Sequence, residues 1–126
     1  MNVDVNAKRV LIVEDDADIR ETLAEFLRDE GYDVACAQHG RDALDQLKVS
    51  ALPSVILLDL SMPVMDGFEF RSEQLKDPRL ASIPVVVITA GQQLRDLPAD
   101  LPVIAKPPNL ETLVSMVQRY CDASSS

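Results

Sequence analysis

Apolar residues gather in short unbroken runs at 10–13, 55–58 and 85–88, with a weaker run at 103–105. Continuous runs of this length, without polar alternation, mark strands buried on both faces. Between them the period lengthens to that of a helix. Ile19, Leu23, Phe26 and Leu27 share one face, and Leu110, Leu113, Val114 and Val117 another. Residues 32–37 supply a further strand, 41–48 a second helix and 68–76 a third. Gly31 stands where a left-handed residue ends the first helix, and Asp16 and Asn109 stand as N-caps of the first and last. The alternation of strand and helix predicts an α/β fold, a parallel sheet with helices on both faces.

In such a sheet ligands collect outside the carboxyl ends of the strands. The residues that follow each run are therefore informative. Glu14, Asp15 and Asp16 follow the first, Asp59 the one at 55–58, Thr89 the one at 85–88, and Lys106 the last. Singly, each has an ordinary explanation: Asp16 caps a helix, a lysine before proline is a solvated loop charge, and a threonine at a strand end is a turn residue. Jointly they bring acids, a hydroxyl and an ammonium to one edge of one sheet.

A chain of 126 residues, 47% of them hydrophobic, is one domain large enough to bury a core without disulfide or structural metal. Cys36 and Cys121 have no partner at ligand spacing and are expected to be free thiols in a reducing compartment. The net charge of −9 and the lack of a basic run argue against nucleic acid as a partner. No apolar stretch approaches a membrane span and no leader pattern opens the chain, so a cytoplasmic protein without membrane contact is expected. Residues 1–7 and 122–126 are expected to be flexible ends around a domain at 8–121. The single histidine, His39, precedes Gly40 in a turn, which argues against a phosphohistidine relay within the chain.

Carboxylates crowded together repel unless a cation sits among them. Mg²⁺ suits such a place, because it takes oxygen ligands and is commonly held by one or two carboxylates together with phosphate oxygens. Asp59 beside that ion, with Lys106 and Thr89 opposite, makes a site for an incoming phosphoryl group. Phosphoryl transfer needs positioning and neutralisation of three equatorial oxygens. Mg²⁺, Lys106 and Thr89 could each take one, with Asp59 as the nucleophile that becomes an acyl phosphate.

Four segments carry a family resemblance over most of the chain: Val13-Glu-Asp-Asp16, Leu57-Leu-Asp-Leu-Ser-Met-Pro-Val-Met-Asp-Gly67, Ile83-Pro-Val-Val-Val-Ile-Thr-Ala90 and Lys106-Pro107. In these the chain resembles the response-regulator receiver domains of two-component signalling, of the stand-alone type. The resemblance implies a flavodoxin-like doubly wound sheet of five strands in the order 2-1-3-4-5. It implies that Asp59 accepts phosphate from a histidine kinase or a histidine phosphotransfer protein. Asp15 would then ligate Mg²⁺ directly, Glu14 through metal-bound water and Ser61 through its backbone carbonyl, while Thr89 and Lys106 contact the phosphoryl oxygens. By this resemblance the chain would be a phosphoacceptor that promotes its own phosphorylation and dephosphorylation, not an enzyme acting on a separate substrate. A monomer that signals to a separate downstream protein is expected, and a cis Lys106–Pro107 bond is usual in the family.

Two departures fall on the output side. Val103 stands where relatives usually carry an aromatic residue, and the stretch from Thr89 to Lys106 is short and interrupted by Pro98 and Pro102. The helix between the fourth and fifth strands is therefore expected to be shortened, reoriented or absent. Ser61 and Gly91, two residues beyond Asp59 and Thr89, carry side chains too short to shield an acyl phosphate from water. A flavin-binding reading fails because Glu14-Asp15-Asp16 would repel the phosphate, and an aspartyl phosphatase would want an acid where Ser61 stands. The remaining alternative is a phosphate sink or a docking module that keeps the fold and signals without phosphate.

Overall fold

The computed structural model describes residues 8–60, 62–89 and 101–125. Strands β1 (Arg9–Val13), β2 (Asp33–Ala37), β3 (Val55–Asp59), β4 (Val85–Thr89) and β5 (Val103–Ala105) form one parallel sheet in the order β2-β1-β3-β4-β5. The helices are α1 (Ala17–Asp29), α2 (Gly40–Val49), α3 (Gly67–Lys76), α4 (Pro78–Ala81) and α5 (Leu110–Ser125). This is the doubly wound, flavodoxin-like order expected from the resemblance.

Side-chain alternation along the strands sorts the apolar residues into two cores. Leu11, Val13, Ile56, Leu58, Val85 and Val87 meet Leu44, Leu47, Phe70 and Leu80 on the side of α2, α3 and α4. Val10, Ile12, Val55, Leu57, Val86 and Ile88 meet Leu23, Leu27, Leu113 and Val117 on the side of α1 and α5. Both faces are covered, so both parities must be apolar, and the runs read as unbroken. Cys121 is buried in the second core and Cys36 is half-buried, and no disulfide joins them.

The caps fall where the sequence places them. Asp16 Oδ1 accepts the amides of Asp18 and Ile19 at 2.9 and 3.1 Å, Asn109 Oδ1 accepts that of Thr112 at 3.0 Å, and Gly31 has φ +98° after α1. His39, expected only in a turn, caps α2 by accepting the Asp42 amide at Nδ1 over 3.1 Å. Helices α2 and α3 each start a residue early, at Gly40 and Gly67, and β2 starts at Asp33. Helix α5 continues to Ser125, past the domain end expected at Cys121, because Leu113, Val117 and Cys121 anchor one face and no glycine or proline follows.

Helix α4 has no counterpart in the sequence reading, since one turn leaves no periodicity. Asp77 ends α3 and caps the new turn through Arg79, with Pro78 in the first position. The buried Gln74 binds this corner, donating from Nε2 to the carbonyls of Leu80 and Ile83 at 2.9 and 3.1 Å. Arg79 ties it to α2 through the Leu47 carbonyl at 2.9 Å.

At the edge of the sheet, the register directs the backbone groups of Asp33, Ala35 and Ala37 to β1 and those of Val34 and Cys36 outward. Both outward carbonyls are covered by side chains: Arg28 donates to Val34 at 3.0 Å and Gln46 to Cys36 at 2.7 Å. The remodelled helix expected between β4 and β5 lies in 90–100, outside the described residues. Val103 is half-buried and packs with Leu101 against the core on the α2 side. No helix among the described residues is long and apolar enough to cross a membrane.

Candidate functional site

The sheet register brings the strand ends level. Val13 pairs with Leu58, Asp59 with Ile88, and Thr89 with Ala105, and the Lys106 amide extends the ladder by donating to the Thr89 carbonyl at 2.9 Å. Residues from four separate segments thus reach one edge. The loop after β3 is held against that edge by Gly67, where a Cβ would lie 2.6 Å from the Asp59 carbonyl oxygen. Only a residue without a side chain lets α3 begin so close to the end of β3. A capping box between Asp66 and Glu69 fixes its first turn, with bonds of 2.9 and 3.1 Å.

Glu14 and Asp59 are buried, with Glu14 2% and Asp59 3% exposed. Asp15 is exposed at their side. One carboxylate oxygen from each of Glu14, Asp15 and Asp59 lies within 4.8 Å of the others. Lys106 Nζ stands 2.9 Å from Glu14 Oε1 and 3.3 Å from Asp59 Oδ2, and the Lys106–Pro107 bond is cis. Glu14 is also fixed by its backbone: its amide donates to the Ala37 carbonyl at 3.1 Å, and its Oε2 accepts the Asp16 amide at 3.1 Å.

Burial pushes the Glu14 carboxyl up to about 7, and the charge of Asp59 adds to the rise against the pull of Lys106 and the Asp16 amide. For Lys106 burial works downward, but the bond to Glu14 and the charges of both carboxylates outweigh it and the ammonium is held above its ordinary range. The lysine therefore stays charged between two acids that it does not fully neutralise. Thr89 is fully buried, and its Oγ1 has no hydrogen-bond partner among the described residues. An orphaned hydroxyl of this kind costs stability unless something else completes it.

Glu14, Asp15, Asp59, Thr89 and Lys106 all come to the edge where the sequence places them. Asp16 belongs to the helix cap, and the Ser61 carbonyl lies outside the described residues, as does Gly91. The sequence reading missed Arg20, whose Nη1 donates to the Glu14 carbonyl at 2.8 Å and the Asp15 carbonyl at 3.4 Å. It also missed the contact of Lys106 with Glu14; an all-carboxylate cluster after the first strand was the available sign that one acid needed a cation. The donor set consists of oxygens with one exposed member, which suits a hard divalent ion that keeps some of its waters.

The sequence pattern of the family described as response regulator receiver domain matches residues 10–118. The chain is 36% identical over 115 residues to the response regulator MprA of Mycolicibacterium vanbaalenii, covering 87% of this chain and 48% of that protein. It spans about half the length of several of the curated regulators it matches. Among solved structures, the signal receiver domain of a signal transduction histidine kinase from Syntrophus aciditrophicus superimposes with a TM-score of 0.84 at 31% identity, covering 93% of this chain and 92% of that one. The chemotaxis response regulator CheY4 of Vibrio cholerae does so with a TM-score of 0.79 at 33% identity, over 90% of this chain and 98% of that one.

Proposed function

The chain belongs to the response regulator receiver domain family, and from that premise we propose that it takes a phosphoryl group onto Asp59 from a histidine kinase or a histidine phosphotransfer protein and signals through a separate protein. The observation that carries this reading is the meeting of buried Asp59 with Lys106, Glu14 and Asp15 beside the Thr89 hydroxyl, which has no partner among the described residues.

In the reaction, a carboxylate oxygen of Asp59 attacks phosphorus in line, the P–N bond of the partner's phosphohistidine breaks, and the electron pair leaves with the imidazole. Lys106 moves from carboxylate to phosphoryl oxygen, and Thr89 donates its hydroxyl to another. The carboxylates of Glu14, Asp15 and Asp59 and the Ser61 carbonyl would hold Mg²⁺, Glu14 through water. The bound ion supplies further neutralisation of phosphoryl charge. The buried carbon skeleton around Asp59 makes these charges act at short range and low dielectric.

Beside Lys106 a largely apolar groove of about 290 Å³, lined by Ile19, Thr22, Leu23, Pro107, Pro108 and Leu110 with Asp18 as its one charged residue, offers a surface on which the donor could rest its own helix. The unit at 8–121 acts in the cytoplasm as a monomer, which the covered edge of β2 favours. With Val103 in the place of an aromatic residue, output relies on something other than the burial of a large ring. Short side chains at Ser61 and Gly91 leave the acyl phosphate open to hydrolysis, so the phosphorylated form should be brief.

Incubation with Mg²⁺ and acetyl phosphate, read by intact-mass spectrometry, should add a single phosphate that is lost without metal and in Asp59→Asn. Labelling of Asp59→Asn at the wild-type level would overturn the assignment. A protein that never takes phosphate would instead be the docking module, and it would bind its partner equally with and without a phosphodonor.

A further inference from the structure

The two metal-facing acids lie on a loop, and a loop holds side chains less precisely than a strand does. Here the backbone of that loop is fixed at both ends. The Glu14 amide is bound to β2 through Ala37, and Asp16 is committed to the cap of α1. What remains are the carbonyls of Glu14 and Asp15, the peptide groups whose rotation sets where the Glu14 and Asp15 side chains point. Both are taken by one guanidinium nitrogen, Arg20 Nη1, at 2.8 and 3.4 Å.

Arg20 reaches them because α1 turns back under its own cap. The Arg20 amide donates to the Asp16 carbonyl at 2.9 Å, which sets the residue one turn into the helix directly below the loop. The ordinary use of an arginine on a helix rich in acids is a surface ion pair. Arg20 forms none among the described residues, and its guanidinium instead binds two successive backbone carbonyls at the acid cluster.

We propose that Arg20 is a positioning residue, which clamps the Glu14–Asp15 backbone so that both carboxylates converge with Asp59 on a divalent cation. The proposal rests on the reading of the site given above. Arginine suits the place for two reasons. Its planar group carries several donors in fixed directions, and its charge persists at any pH the protein meets. It also stays at the acid cluster when Lys106 is drawn to the phosphoryl group. Partners that orient metal ligands without touching the ion commonly affect affinity strongly.

The test is Mg²⁺ titration of the full chain by isothermal titration calorimetry, comparing wild type, Arg20→Met and Arg20→Lys, with urea unfolding of each in metal-free buffer. Arg20→Met keeps length and apolar contact but has no donor, and its Mg²⁺ Kd should rise about tenfold. Arg20→Lys, which keeps the charge but not the fixed donor directions of the planar group, should fall between the two. In phosphorylation by acetyl phosphate the half-saturating Mg²⁺ concentration should rise by the same factor, with the rate at saturating Mg²⁺ retained. A merely structural arginine would lower the urea midpoint and leave the Mg²⁺ Kd of the folded protein alone, and that result overturns the proposal. If wild type itself binds no Mg²⁺, the reading of the site fails and the clamp with it. If wild type binds and Arg20→Met binds equally, only the clamp fails. Should Arg20→Met not fold, Arg20→Lys decides: a weaker Kd supports the clamp, and a wild-type Kd overturns it.

Discussion

The Lys106 ammonium stands closer to Glu14 than to the proposed acceptor Asp59, 2.9 Å from one carboxylate and 3.3 Å from the other. A single cation thus serves two buried acids, and without a metal one negative charge is left in excess once Glu14 ionises. Removing either acid should relieve that excess while Lys106 keeps a partner. Glu14→Gln and Asp59→Asn are each expected to stabilise the metal-free protein by roughly 1–3 kcal/mol. Lys106→Met should do the reverse, at a cost of roughly 3 kcal/mol, because it takes the shared cation from both buried carboxylates. Urea unfolding in the presence of a chelator gives all three values. A loss of stability in Asp59→Asn would mean that the acids do not repel across the site.

Glu14 also sets a pH dependence. Its folded pKa is pushed up to about 7 by burial, with Asp59 adding to the effect, from an ordinary value of 4.5. Between those two values the unfolded chain has lost a proton that the folded chain keeps, so Glu14's contribution to stability falls as pH rises through that window. The slope should vanish in Glu14→Gln. Mg²⁺ needs the ionised carboxylate, so its affinity should climb between about pH 6 and 8 in wild type and climb far less in the variant. Calorimetric titrations at several pH values, in chelator-treated protein, measure this directly, and a flat profile in wild type would remove Glu14 from the metal site.

Much of this architecture can be read from the chain because burial on both faces of the sheet leaves unbroken runs such as 55–58, and because the polar residues that end those runs have no role in a core. The edge at which Glu14, Asp59, Thr89 and Lys106 meet follows from strand direction alone. Strand order does not; it came with the family resemblance. Three further features escape a one-dimensional reading. Helix α4 is a single turn with no period, held by Gln74 through bonds to Leu80 and Ile83 that only the folded corner creates. Arg20 acts on Glu14 across a reversal of the chain. The choice of Lys106 between two acids depends on side-chain geometry across three strands, and residue type does not encode it.

The edge of β2 gives a prediction about assembly. Its outward carbonyls at Val34 and Cys36 are taken by Arg28 and Gln46, which denies a second strand the acceptors it would need. The double variant Arg28→Ala, Gln46→Ala should self-associate in a concentration-dependent way while wild type stays monomeric. Sedimentation velocity across a range of protein concentrations detects it, with circular dichroism to show that the variant is folded. A folded, monomeric double variant would mean that the twist of β2 or its short length already protects the edge.

Val64 carries the clearest backbone strain. It adopts φ +67°, a left-handed conformation that costs a β-branched residue roughly 1–2 kcal/mol. The Met65 amide donates to the Pro63 carbonyl at 2.7 Å, closing a tight three-residue turn around it. Little packing offsets that cost, for the residue is 76% exposed. The turn persists because its flanks are fixed: the Gly40 amide donates to the Met65 carbonyl at 2.9 Å, and Asp66 is locked in the capping box of α3. Val64→Gly should therefore raise stability by about 1 kcal/mol, the relief of strain exceeding the added freedom of the unfolded chain. The urea midpoint should rise with an unchanged slope. Because Met65 and Asp66 hold the loop independently of residue 64, phosphorylation of Asp59 by acetyl phosphate should proceed at the wild-type rate. A lower midpoint would show that the exposed methyl groups of Val64 have a stabilising contact that outweighs the strain, and a changed rate would show that the strained turn helps to set the geometry at Asp59.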